Sequence, residues 1–203
     1  MTIIKIESVN GYHTIESQSH REENWMGEEW IEVPSELEDN LNGGYCNLTI
    51  EDGVLTNVTP TSIPVNMDKC RNERITYLSS TCNNAITNGF DIELSNTSGH
   101  VSLTPEDQIN LTTAYASVQN GIEQYPYHLD GQLCQMFSAE DITKIAQTAT
   151  AHKLYHTTYF NHLKAWAERC ETKDELDAIF YGSELPEDLA SSMNSIISAA
   201  SSL

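Results

Sequence analysis

The sequence predicts an α+β fold, in which a small β-rich N-terminal module precedes a mainly helical domain with two inserted β-hairpins and one long helix. Three observations support this class. Strand-like alternation with hairpin turns fills the first part of the chain, a proline-containing stretch follows, and apolar residues then recur three to four apart. We expect the module at 1–60, a linker at 61–66, the helical domain at 67–185 and a C-terminal helix or tail at 186–203.

The composition is that of a folded but strongly acidic chain. Its 203 residues include 30 Asp and Glu against 10 Lys and Arg, which gives a net charge of −20, and 39% of them are hydrophobic. Proteins that bind nucleic acid or anionic membranes use clustered Lys and Arg, so both classes are disfavoured. The apolar runs are far shorter than the ~20 residues that cross a bilayer, and the first residues do not resemble a signal peptide.

Two dipeptides in the module favour the tight turns of β-hairpins. Asn10-Gly11 and Asp52-Gly53 each lie between stretches that alternate like strands. Both dipeptides tolerate the positive φ angles that a two-residue hairpin turn requires. We therefore predict one hairpin within residues 4–16 and another within residues 45–58.

A short strand and a short helix are predicted between these hairpins. Trp30–Val33 is typical of a strand, and Pro34 ends it. Ser35 and Glu38 have the spacing of a capping box, which predicts a helical turn or two.

The helical domain begins with a predicted helix over residues 67–88 and a hairpin over residues 90–103. Thr104-Pro-Glu-Asp107 then has the order of a helix start: a cap residue, proline at the first position and acids in the first turn. Ser138-Ala-Glu-Asp141 repeats this order 34 residues later, after another strand-like stretch. The simpler interpretation of this repeated order is that the same kind of connection, a hairpin followed by a capped helix, occurs twice.

The helix that begins at Ser138 carries the strongest pattern in the chain. Its stripe alternates three and four apart over about four heptads, which is typical of packing against another helix. The stripe consists of Ile142, Ile145, Ala149, His152, His156, Tyr159, Leu163, Trp166 and Cys170. A second copy of the chain and the chain's own core would both produce this periodicity, so both alternatives stay open. Shorter helices are predicted to begin at Thr172 and at Pro186.

Few residues have the spacing that catalysis or metal binding requires. His152 and His156 form a His-x-x-x-His pair, but Lys153 stands where a metalloprotease has Glu, and no third ligand has a diagnostic spacing. The five scattered cysteines lack a Cys-x-x-Cys pair, and the chain has no nucleophile elbow or phosphate-binding loop. We therefore predict no catalytic residue, no metal, no cofactor and no enzymatic activity. If the long helix self-associates, these histidines would make the association pH-sensitive.

An acidic segment that contains two tryptophans is the other unusual feature of the module. Residues 16–39 hold nine acids and one basic residue, Arg21, with Trp25 and Trp30 among them. A solvated loop is the simpler interpretation. A loop that faces a partner or a cation, with the tryptophans as anchors, is the alternative.

Two parts of the sequence resemble known families. Gly44–Thr61, preceded by Ile31–Pro34, is similar to an N-terminal module that recurs in phage and prophage proteins. Farther along, the matching segments in order are Asp68–Ile75, Gly89–Leu94, Leu103–Gln108 and Ala139–Ala167. These resemble a family of domains of unknown function in phage genomes, encoded among tail genes near those for fibre and baseplate proteins.

The resemblance implies a bacteriophage tail-associated structural or assembly protein that acts through protein–protein interaction. It implies other tail or baseplate proteins as partners, and a location in the host cytoplasm during assembly and then in the virion tail. It transfers no catalytic residue. We expect an interface, with possible homo-oligomerisation through the long helix, at Trp25, Trp30, His152, His156, Tyr159, Leu163 and Trp166. An acidic inhibitor of a host defence protein that mimics nucleic acid, and a glycan-binding module or small hydrolase, are the alternatives.

Overall fold

The computed structural model describes residues 1–17 and 27–201. The chain forms two compact units, Met1–Val65 and Asn66–Leu203. The first unit is β-rich and the second is mainly helical with one long helix, which confirms the predicted fold class.

The first unit consists of a three-stranded sheet and a separate hairpin. Strand β1 (Thr2–Lys5) lies between β2 (Ile15–Ser17) and β3 (Trp30–Val33), and both pairings are antiparallel. Strands β4 (Cys46–Glu51) and β5 (Val54–Pro60) form the hairpin. Residues from both sheets bury one shared core, formed by Ile4, Ile31, Val33, Leu41, Cys46, Leu55 and Val58.

Both predicted hairpin turns are confirmed. Asn10 has a φ of 53° and Asp52 a φ of 51°, and the glycine after each also has a positive φ. Consecutive positive φ angles give the turn a twist that matches the twist of the flanking strands. Val9 and Tyr12 pair across the first turn, although the regular return strand begins only at Ile15.

The predicted capping box at Ser35 is wrong. Ser35–Asn40 is a 3₁₀-helix whose cap position is held by Pro34, with a φ of −54° and a ψ of 140°. Ser35 therefore lies one residue inside the helix, where its hydroxyl cannot reach the amides of the first turn. It donates instead to the Glu36 carboxylate at 3.4 Å.

The second unit alternates helices with hairpins. Its elements are α1 (Met67–Asn88), β6 (Phe90–Glu93), β7 (Ser98–Val101), α2 (Pro105–Gln119), β8 (Gln124–Tyr127), β9 (Gln135–Ser138), α3 (Ala139–Arg169), α4 (Lys173–Asp177) and α5 (Glu187–Ala200). Strands β6 and β7 form one antiparallel hairpin, and β8 and β9 form the other. The predicted caps are confirmed, because Thr104, Ser138 and Thr172 each accept a hydrogen bond from a first-turn amide.

Helix α3 contributes to two hydrophobic cores. Its first half, with Ile142 and Ile145, packs against both hairpins and α2 in what we call the first core. Its second half, with Tyr159 and Leu163, packs against α1, α4 and α5 in the second core. The apolar stripe of α3 is therefore divided between two sets of partners within the chain.

The order repeated at Thr104 and Ser138 forms a helix cap at both positions, but the two caps differ in their hydrogen-bond partners. Asp107 closes a capping box with Thr104 at the start of α2. Its counterpart Asp141 accepts from the Ser138 hydroxyl at 2.8 Å and also from the Ser95 amide at 3.0 Å and hydroxyl at 2.9 Å. Because Ser95 lies between β6 and β7, Asp141 fastens the first hairpin to the start of α3.

Gly89 ends α1 in a conformation that other residues rarely adopt. Its φ is 75° and its ψ is −147°, and a Cβ at this position would overlap the carbonyl oxygen of Val101. Glycine here lets the chain turn directly from α1 into β6 and lets β7 approach closely.

We predict that Gly89→Ala lowers the free energy of unfolding by about 3 kcal/mol or more, since backbone strain and steric overlap add. Gly121→Ala is the matched control, because Gly121 also has a positive φ, of 95°, but has open space around its Cβ position. We expect the control to lose about 1–2 kcal/mol. Urea unfolding of both variants checks this, and equal losses would contradict the role assigned to Val101.

Candidate functional site

The predicted interface stripe of α3 lies mostly inside the chain. Leu163 is 0% exposed, Tyr159 is buried, and Trp166 is half-buried against the second core. Leu78 of α1 and Met193 of α5 belong to the same core. Of the two alternatives for this stripe, the structure has packing within the chain, and Leu163 as placed offers no surface to a second copy.

Of the two tryptophans of the acidic segment, Trp30 lies within the described residues. Trp30 is a buried residue of β3, and the Lys5 ammonium lies 6.0 Å from its ring centre. Because Trp30 is buried, it offers little surface to a partner as placed. Trp25 lies outside the described residues.

The histidine pair joins α3 to its neighbours. His152 Nε2 donates to the Ala85 carbonyl of α1 at 3.0 Å, and His156 Nδ1 lies 2.8 Å from the Tyr181 hydroxyl. The two imidazoles meet edge to face with ring centres 4.4 Å apart. Both side chains therefore have structural partners that the sequence pattern did not indicate.

Tyrosine side chains complete this cluster. The Tyr159 hydroxyl donates to the Ser183 carbonyl at 2.6 Å and accepts from the Gly182 amide at 3.0 Å. The Tyr181 ring meets Tyr159 edge to face, with ring centres 5.2 Å apart. These contacts fix the segment between α4 and α5 against α3.

Two titratable groups beside these rings, His156 and Cys82, are biased towards their neutral forms. Burial, and then the neighbouring His152, lowers the pKa of His156. Burial raises the pKa of the Cys82 thiol, although a hydrogen bond with Tyr181 opposes the shift. A thiol with a raised pKa is a poor nucleophile. In residues 1–17 and 27–201, no group of three His, Cys, Asp or Glu side chains could hold a metal ion.

His100, on the β6–β7 hairpin, forms a second histidine site. Its pairing with an aspartate resembles a catalytic dyad, but both of its ring nitrogens already have partners within the chain. His100 Nδ1 lies 2.7 Å from the Asp91 carboxylate, and Nε2 contacts the Asn88 carbonyl at the end of α1. Because both partners are acceptors, the protonated imidazolium can donate to both of them. The hydrogen bond to Asp91, and then the one to Asn88, raises the pKa of His100. In the observed hairpin Asp91 and His100 lie directly opposite each other, whereas the sequence predicted a hairpin over residues 90–103 without this register.

Every basic side chain in the described part of the chain has a polar partner within it. The nine are Lys5, Lys69, Arg71, Arg74, Lys144, Lys153, Lys164, Arg169 and Lys173. Arg71 donates to the Cys170 carbonyl at 3.0 Å, and Arg74 to the Ile179 carbonyl at 3.1 Å. These arginines fasten α1 to the ends of α3 and α4.

Two surfaces of the second unit remain as candidates for binding. One is the exposed face of the hairpin formed by β8 and β9. Met136 and Pro126 are paired across its strands, and Leu133 lies in its connecting loop. We call Ile122, Pro126, Leu133 and Met136 the hairpin patch. The other is a groove of about 510 Å³ between α2, α3 and the end of α5.

Residues 69–180 match a domain of unknown function (DUF4376). The chain belongs to the DUF4376 family. The match begins within α1 and ends after α4, so the DUF4376 region contains both hairpins, all of α2 and α3, and the histidine pair. The match confirms that the helical unit contains a domain of unknown function. No curated protein and no solved structure matches the chain.

The helices of the DUF4376 unit also bear on membrane insertion. Among the described residues, no helix combines the length and apolar character that a membrane span requires.

We predict that His156→Gln flattens the pH dependence of stability. The pKa of His156 in the folded protein lies below the value of a free histidine, ~6.5. Its contribution to stability is therefore fully present above pH ~6.5 and is lost as the pH falls below that value. Glutamine can still bond Tyr181 but does not titrate. Urea midpoints between pH 5 and 8 check this.

His100→Gln is the matched control with the opposite sign. The pKa of His100 in the folded protein is raised above the value of a free histidine. Its contribution to stability is therefore fully present below pH ~6.5 and is lost as the pH rises through the pKa of the folded protein. The two variants should therefore tilt the profile in opposite directions. Parallel profiles for wild type and both variants would contradict the assigned environments.

Proposed function

We propose that this DUF4376 protein is a tail-associated structural or assembly protein of a bacteriophage, which binds other tail or baseplate proteins and catalyses no reaction. The resemblance carried by Asp68–Ile75, Gly89–Leu94, Leu103–Gln108 and Ala139–Ala167 supports the tail context. The host cytoplasm during assembly, and then the virion tail, are the locations that follow from this proposal.

The observation that carries a binding role is the hairpin patch. Leu133 is 90% exposed and Met136 is 58% exposed, and both lie on one hairpin, while exposed Ile122 lies two residues before its first strand. Exposed apolar side chains that gather on one element are characteristic of protein contact surfaces. Covering them with a partner would remove apolar area from water, which favours association.

The chemistry-bearing groups support binding rather than catalysis. Both ring nitrogens of His100 already contact Asp91 and Asn88, and His152 and His156 fasten α3 to its neighbours. Burial raises the pKa of both Cys82 and Cys170. These groups stabilise the fold, which leaves association as the role with most structural support.

The charge indicates the kind of partner. The chain has a net charge of −20, and its described basic side chains are already engaged within it. A partner surface with unpaired Lys or Arg would be attracted at long range and would bind more weakly as salt rises. The same surplus of carboxylates favours the second candidate, an acidic inhibitor that occupies the nucleic-acid site of a host defence protein.

Mass spectrometry of purified virions and of tail-assembly intermediates from the encoding phage tests the proposal. We expect the chain in at least one of these fractions. Its absence from both would overturn the tail assignment, and capture instead by a nucleic-acid-binding host protein, reversed by added DNA, would favour the inhibitor.

We predict that the double variant Leu133→Ser/Met136→Ser lowers incorporation into these fractions at least tenfold, because it removes the apolar part of the hairpin patch. Ile109→Ser is the matched control, since Ile109 is 67% exposed on α2 of the same unit. Both proteins should keep the unfolding midpoint of the wild type. Equal incorporation of the two variants would show that the hairpin patch is not the contact.

A further inference from the structure

We propose that the groove between α2, α3 and the end of α5 binds a small amphipathic carboxylate, with its hydrocarbon part in the groove and its carboxylate on Lys153. The groove measures about 510 Å³, which lies within the range of small-molecule sites in proteins. This site is distinct from the hairpin patch and does not depend on the proposed function.

The charge of the groove lining is opposite to that of the chain. Although 30 of the 203 residues are acidic, the described residues that line the groove include no Asp or Glu and include one cation, Lys153. The described lining thus carries one positive charge on a strongly negative protein. A carboxylate would find its electrostatic partner here.

Lys153 is held in position without being neutralised. Its ammonium donates to the side-chain oxygen of Gln108 at 3.2 Å, and the Gln108 amide donates in turn to the Leu103 carbonyl at 2.8 Å. Most of the other described basic side chains contact a carboxylate; Lys153 contacts a neutral amide. An ammonium has three donors, so further donors remain for a bound carboxylate.

The floor and walls of the groove suit a hydrocarbon chain. Leu103, Leu111 and Ala149 form its buried floor, and Tyr115, Ala146 and Leu154 add partly exposed apolar surface. Burial of each CH₂ group of such a chain removes apolar area from water and so favours binding. A ligand with an acyl-like chain and a terminal carboxylate satisfies both parts of the site.

Isothermal titration of the full chain with decanoate, below its micelle concentration, tests this site. We expect saturable binding of one decanoate, and no saturable binding of decyltrimethylammonium, which has the same tail and the opposite charge. Equal binding of the two probes, or no saturable binding of decanoate, would overturn the proposal.

Variants then locate the site. Lys153→Gln should weaken decanoate binding at least tenfold by removing the charge, and Thr150→Phe should do so by filling the groove from an exposed position. Lys144→Gln is the matched control, because Lys144 lies on the same helix, contacts the Glu93 carbonyl and does not line the groove. We expect less than a twofold change for this control.

The outcomes are separable from folding and from the proposed function. Unchanged affinity in Lys153→Gln would overturn the carboxylate assignment, and an equal loss in Lys144→Gln would show that net charge alone governs binding. Should a variant fold poorly, the two probes on the wild-type chain still decide the question. Binding by the purified chain is also measured independently of its presence in virions.

Discussion

Burial of one long apolar stripe on α3 is the interaction on which the rest of the second unit depends. The helix has 31 residues, so it is about 46 Å long. Its first half closes the first core through Ile142 and Ile145, and its second half closes the second core through Tyr159 and Leu163. Because one rigid element serves both cores, the hairpins and α2 are positioned relative to α1, α4 and α5 through α3.

Polar contacts from distant residues complete the ends of these helices. Arg71 satisfies the carbonyl of Cys170 at the end of α3, His100 contacts the end of α1, and Asp141 fastens a hairpin loop to the start of α3. Cations are favourable at helix C-termini and anions at N-termini. The arginines of α1 are therefore bound to carbonyl groups of the chain itself.

The sequence could predict what local chemistry determines. Turn dipeptides located both hairpins of the first unit, and cap residues located the starts of α2 and α3, because both signals act over two to four residues. The capping box at Ser35 failed for an equally local reason, since Pro34 had already taken the cap position.

Long-range partners could not be predicted in the same way. The periodicity of α3 was correct, but a helix shows the same stripe whether it faces a second copy or its own core. The partners of His152 and His156, which are Ala85 and Tyr181, are set by the packing of α1 and of the segment after α4 on α3. The groove likewise brings together residues from three helices, so no single stretch of sequence displays it.

The division of α3 between two cores also separates stability from binding. Around the second core, the side chains that could take part in chemistry already have hydrogen-bond partners. Tyr159 bonds Gly182 and Ser183, and His156 contacts Tyr181. Around the first core, the hairpin patch and the groove present unpaired apolar surface and an ammonium held by a neutral amide. Substitutions beside the second core should therefore act through unfolding. We expect those at the two surfaces of the first core to change association while the unfolding midpoint stays constant.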